Sequence, residues 1–130
     1  MLITVDTSAV LAVAADEPTK PALIQATRGA DLIAPASLWS EVGNALSAMF
    51  KRGRITPEAA ERVLASAHTI PIRLVDLDVS RAVALAARLD VYAYDAYVID
   101  CALSQQAPLL SLDRGQRAAA ERAGVALHPI

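Results

Sequence analysis

The sequence predicts an α/β fold: a three-layer sandwich with a central, mainly parallel sheet of four to five strands and helices on both faces. Two observations carry this. Five short apolar runs alternate with helical patterns along the chain, and no linker, repeat or compositional break interrupts the alternation.

Leu2-Ile3-Thr4-Val5 reads as a buried strand ending at Asp6. Ser8 to Ala14 reads as a short helix, and Pro18 opens another to about Arg28, with Gly29 as its stop. Leu32-Ile33-Ala34 is a short strand closed by Pro35. From about Ser37 to Lys51, Trp39, Val42, Leu46, Met49 and Phe50 recur at spacings of three and four, the apolar stripe of a long helix that Gly53 ends. Thr56-Pro57-Glu58 starts the next helix, a capping hydroxyl followed by proline at the first helical position. Ile70 to Val75 is a strand with Pro71 near its start, where a missing N–H is tolerated. Asp78 caps a helix through Leu89. Asp95 to about Gln106 is apolar nearly all round, so that helix must be buried on most sides. Leu109 to Leu112 is a strand ending at Asp113, a helix runs from there to Ala123, and Val125-Ala126-Leu127 is a last strand.

The 130 residues make one ordinary domain spanning 1–130, and 55% hydrophobic with 20% charged residues excludes disorder. Cys101 is the only cysteine, which excludes an internal disulfide framework or a cysteine-based zinc site; its apolar neighbours make it a core thiol. No apolar run approaches the ~20 residues that span a bilayer, and the start lacks a basic n-region, so a soluble, cytoplasmic protein is expected. The net charge of −2 does not advertise a nucleic-acid binder. His68 and His128 lie far apart without a second ligand type at metal spacing and read as structural. Chemistry therefore falls to carboxylates and hydroxyls.

Ligands of open parallel sheets bind beyond the carboxyl ends of the strands, where strand order reverses. Asp6, after the first strand, and Asp113, after the fourth, occupy that kind of place, while Asp95 opens the buried helix. Each also reads as a helix N-cap. Glu41 and Asn44 share a face off the apolar stripe of their helix, a face that periodicity alone assigns to solvent. Asp100, five residues beyond Asp95, points some ~140° away on an ideal helix, so it is expected to pair with an arginine or meet a dimer partner. Tyr92, Tyr94 and Tyr97 flank Asp95; core packing is the favoured reading over stacking on bases.

Four motifs occur in order: Asp6-Thr7-Ser8 after the first strand, Glu41-Val42-Gly43-Asn44-Ala45-Leu46 on a helix, Tyr94-Asp95-Ala96 opening a late helix, and Leu110-Ser111-Leu112-Asp113-Arg114 after a strand. Each alone is weak; together, over residues 2 to about 128, the sequence resembles the PIN-domain family and within it the VapC-type toxins of bacterial toxin–antitoxin (VapBC) pairs. Ser111 stands where threonine is frequent in the family, and it keeps the hydroxyl.

The resemblance implies that Asp6, Glu41, Asp95 and Asp113 converge on one acidic pocket holding Mg²⁺ or Mn²⁺. Asp6 and Asp95 are expected as the nearest ligands, Glu41 and Asp113 direct or through water, and Asn44, Ser111 and Ser8 in support. All-oxygen ligands suit such hard cations, and clustered carboxylates need a counter-cation to ionise fully. The implied activity is hydrolysis of RNA phosphodiester bonds to leave a 5′-phosphate, with no protein nucleophile. The implied partners are RNA, a VapB-like antitoxin covering the pocket, and a second copy of the chain in a homodimer or larger assembly. Lys51, Arg52 and Arg54 form the densest basic cluster, suited either to gripping phosphates or to complementing a helix C-terminus.

Three alternatives fit these residues less well. A receiver-like phosphoacceptor domain wants an acidic pair after the first strand and a late lysine, whereas the last lysine is Lys51. A haloacid-dehalogenase-like phosphatase wants an acid where Ser8 stands. A PIN-like fold that binds RNA or protein without cutting is disfavoured because all four acidic positions are filled.

Overall fold

A computed structural model describes all of residues 1–130. Its strands are β1 (Leu2–Val5), β2 (Asp31–Pro35), β3 (Ile72–Val75) and β4 (Leu109–Leu110). They form one sheet in the order β3-β2-β1-β4, with every pair parallel. Helices α1 (Thr7–Ala14), α2 (Lys20–Thr27), α3 (Leu38–Lys51), α4 (Pro57–Ala67), α5 (Val79–Leu89), α6 (Ala93–Gln105) and α7 (Arg114–Arg122) complete the chain. No helix is long and apolar enough to cross a membrane.

Strand alternation divides the core into two faces. Ile3, Val5, Ala34 and Leu110 point to the side packed by α1, α2, α3 and α4. Leu109 joins Ile99, Ala102, Ala119 and Val125 on the side of α5, α6 and α7, and Ile33 meets Cys101 of α6. Both faces are covered, which is why the strands read as continuous apolar runs rather than alternating ones. Helix α6 is wedged against the sheet: Ala96, Val98, Ile99, Asp100, Cys101 and Ala102 are all buried, matching its apolar sequence.

Several boundaries differ from the sequence reading. Pro18 does not open α2; the Lys20 N–H donates to the Glu17 carbonyl at 2.9 Å, so Pro18 takes the second position of a β-turn and the helix begins two residues later. Strand β3 starts only after Pro71. Strand β4 ends at Leu110, and side chains take over the N–H groups of Leu112 and Asp113 beyond it. The Leu112 N–H donates to Ser8 Oγ at 2.9 Å and the Asp113 N–H to Ser111 Oγ at 3.1 Å. The expected fifth strand is a single parallel bridge from Leu127 to Leu109 on the outer edge of β4. Helix α6 begins at Ala93 rather than Asp95.

The order β3-β2-β1-β4 puts the reversal of strand order between β1 and β4. Val5 pairs with Leu110 there, so the chain leaves the sheet at Asp6 and Ser111 side by side. Any cleft at the carboxyl edge opens at that point.

Candidate active site

Asp6 is the anchor of the site. Only 5% exposed, it caps α1 by accepting the Ala9 N–H on Oδ1 at 3.1 Å. Ser8 donates its hydroxyl to the same oxygen at 2.6 Å, and Ser111 donates to Oδ2 from the end of β4. The capping role read from the sequence is therefore real, and it leaves the carboxylate rigidly held at the strand end. Burial pushes the Asp6 carboxyl above its ordinary value; the Ser111, Ser8 and Ala9 hydrogen bonds pull it back, and the charge of Asp113 pushes it up again.

Asp113 caps α7 in the same way, accepting the Gln116 N–H on Oδ1 at 2.8 Å. Asp95 does not cap. The α6 cap is Tyr92, and Asp95 sits in the first helical turn with its carboxylate uncommitted. The buried Gln116 side chain donates to the Asp95 carbonyl at 3.1 Å, tying the start of α7 to the start of α6. Glu41, in the first turn of α3, is half-buried rather than solvated, and Ser37 donates its hydroxyl to Oε2 at 2.7 Å.

Glu41, Asp95 and Asp113 line one cleft of about 770 Å³, together with Thr7, Ser40, Asn44, Ala45 and Tyr94; Asp6 is not on its wall but is buried next to Thr7. The four acids feel one another. Burial raises the Glu41 carboxyl, against the Ser37 bond, and the Asp95 and Asp6 charges raise it further. Burial likewise raises the Asp95 carboxyl, followed by the charges of Asp113 and Asp6. Sequence reasoning missed Ser37, Gln116 and Thr7 as supporting groups. Ser37 was traceable as a hydroxyl four residues before an acid at a helix start, whereas Gln116 carried no local signal.

The structure does not gather everything expected. Lys51, Arg52 and Arg54 are exposed at the opposite end of α3, ten residues and about 15 Å of helix rise from Glu41 in the case of Lys51. Asp100 points away from the cleft and accepts two bonds from Arg81, at 2.6 and 2.9 Å, as an arginine pair. Tyr92 and Tyr94 are not core residues: they are 84% and 59% exposed, at the cap and in the first turn of α6. His128 is structural, its Nε2 lying 2.8 Å from the Ala26 carbonyl, and His68 packs edge-on against Trp39.

The sequence matches the PIN domain family over residues 3–122. The chain belongs to the PIN domain family. The crystal structure of PAE2754 from Pyrobaculum aerophilum shares its fold at TM-score 0.71 and 24% identity, covering 92% of this chain and 79% of that one. VapC20 of Mycobacterium tuberculosis, described as a sarcin-ricin loop cleaving toxin, aligns at TM-score 0.64 and 17% identity over 98% of this chain and 99% of its own. VapBC2 from Rickettsia felis, bound to a DNA fragment from their promoter, aligns at TM-score 0.66 and 8% identity over 98% and 97%. No curated protein sequence matches this one.

The donor set of this PIN domain fits a hard divalent cation of the Mg²⁺ type. All four acids offer oxygen, three are held above their ordinary values with each other's charges contributing, and the buried Thr7 Oγ1 at the cleft wall has no hydrogen-bond partner. No three of the acids stand close enough together to hold a metal ion by themselves. An ion of the Mg²⁺ type usually takes one or two carboxylates directly and fills its remaining positions with water.

Proposed function

We propose that this PIN domain is a metal-dependent endoribonuclease, the toxin of a toxin–antitoxin pair held in check by a cognate VapB-like antitoxin. The observation that carries the reading is that Glu41, Asp95 and Asp113 line one cleft at the reversal of strand order, with the buried Asp6 next to its lining residue Thr7. Uncompensated, such a cluster disfavours its own ionisation, an arrangement that makes sense when a cation completes it.

Asp6 and Asp95 would hold Mg²⁺ or Mn²⁺ most directly, with Glu41 and Asp113 direct or through water. The bound ion supplies Lewis acidity, acidifying water and offsetting charge that grows on the phosphodiester. Ser8 and Ser111 fix the direction of the Asp6 carboxylate, and Ser37 fixes that of Glu41. Gln116 fixes the approach of α6, and thus of Asp95, to α7. Asn44 lines the cleft one turn beyond Glu41, within reach of a bound phosphate or water. Lys51, Arg52 and Arg54 would contact the RNA backbone at a distance from the scissile bond.

The likeness to VapC20 and to the VapBC2 complex supports an RNA substrate and an antitoxin partner, and homodimerisation belongs to the same reading. The test is cleavage of total cellular RNA by the purified chain with Mg²⁺ or Mn²⁺, followed by mapping of 5′ ends. Cleavage that disappears with chelator and in Asp6→Asn is expected. RNA left intact by the wild type with either ion would leave a fold that binds without cutting.

A further inference from the structure

The aromatic residues of this chain fall into two groups. Trp39 and Phe50 pack against the core on one side of the sheet and Tyr97 on the other. Tyr92 and Tyr94 are the exposed pair, and both lie within three residues of Asp95. Tyr94 lines the acidic cleft itself, Tyr92 lines an adjoining cleft, and Asp95 is common to both. The Tyr94 ring is braced by Tyr97, centroids 5.9 Å apart and planes 83° apart, which limits its rotation while most of the residue stays open to solvent.

Away from a bound cation the acidic cleft wall does not attract a polyanion, and the basic cluster of Lys51, Arg52 and Arg54 lies at the far end of α3. A nucleobase on an aromatic face gives attachment that is indifferent to charge.

We propose that Tyr94, with Tyr92 beside it, forms a stacking platform that receives an unpaired nucleobase next to the phosphodiester in the acidic cleft. The assignment rests on the ribonuclease reading and adds to it the group that holds an unpaired base beside the scissile bond. Tyr94 is a positioning residue; its ring, not its hydroxyl, does the work.

The test compares wild type with Tyr94→Leu, Tyr94→Phe and Tyr94→Trp on a short mixed-sequence single-stranded RNA with Mn²⁺. Tyr94→Leu should lower kcat/KM about 5- to 150-fold, mainly through KM, with an unchanged melting temperature, while Phe and Trp retain activity. Equal kinetics for Tyr94→Leu and wild type overturn the platform alone, as does a loss in Tyr94→Phe as deep as in Tyr94→Leu. A second measurement changes the RNA instead: the same strand made abasic beside the cleavage site should be a poorer substrate for wild type and no poorer for Tyr94→Leu. Equal cutting of abasic and parent RNA by wild type also overturns it. If wild type cuts no RNA at all, the ribonuclease reading fails and the platform falls with it.

Discussion

Ser111 donates its hydroxyl proton to Asp6 across the boundary between β4 and β1, joining residues 105 positions apart. The same hydroxyl accepts the Asp113 N–H, so one buried atom connects two of the four acids. Ser111→Ala removes a bond to a carboxylate and strands an N–H. It should cost about 1–3 kcal/mol of stability, and Ser111→Thr, which keeps the hydroxyl, should recover activity better than Ala. Denaturant melts and cleavage rates of the pair check this.

The acids should separate by their second roles. Asp95 caps nothing, so in metal-free protein Asp95→Asn relieves repulsion at no structural cost and should raise the melting temperature. Asp113→Ala loses the α7 cap and should cost about 1 kcal/mol, whereas Asp113→Asn retains it. Asp6→Asn keeps a capping oxygen for Ala9, but its amide nitrogen cannot accept the Ser111 hydroxyl, so relieved repulsion and burial are offset and the net change should be smaller than for Asp95→Asn. Asp6→Asn and Asp95→Asn should both lose cleavage by about 100-fold or more, an effect of several kcal/mol on the transition state. A metal-free Asp95→Asn protein that melts below wild type would contradict this account.

Metal-free stability should depend on pH in a defined direction. Asp6, Glu41 and Asp95 bind protons more readily folded than unfolded. Their contribution is fully present below the ordinary carboxylate range near pH ~4 and is lost as pH rises through the raised folded values. Melting curves of wild type against Asp6→Asn/Glu41→Gln/Asp95→Asn should diverge on raising the pH through that window, with the wild type falling relative to the variant. Mg²⁺ should reverse the divergence, adding about 2.7 kcal/mol at a hundredfold excess over its Kd.

Cys101 should be chemically silent. Burial pushes its thiol up to about 11, and it is 4% exposed. Reaction with a thiol reagent at pH 8 should proceed only as fast as the fold opens, which time courses with and without denaturant will show.

The sheet was legible because both its faces are buried, which turns each strand into an apolar run that composition marks directly. The Asp caps at residues 6, 78 and 113 were legible for the same local reason. Pro18 was misplaced because proline at the second position of a turn and proline opening a helix look alike in sequence. Glu41 shows the deeper limit: a helix face lining a polar cleft has the same periodicity as one facing water, and only the family motif singled it out. Tyr92 and Tyr94 adjoin a helix that is buried for most of its length, and nothing local reveals that its start is exposed. Arg81 became identifiable as the partner of Asp100 only once α5 and α6 packed together.

The pairing of Val5 with Leu110 has a consequence for synthesis. A growing polypeptide completes β1, β2 and β3 while the outer edge of β1 still lacks its neighbour, and the cleft stays unformed until the segment through Asp113 emerges from the ribosome. On the proposed ribonuclease reading, the nascent chain has no assembled site with which to attack RNA before that segment has emerged.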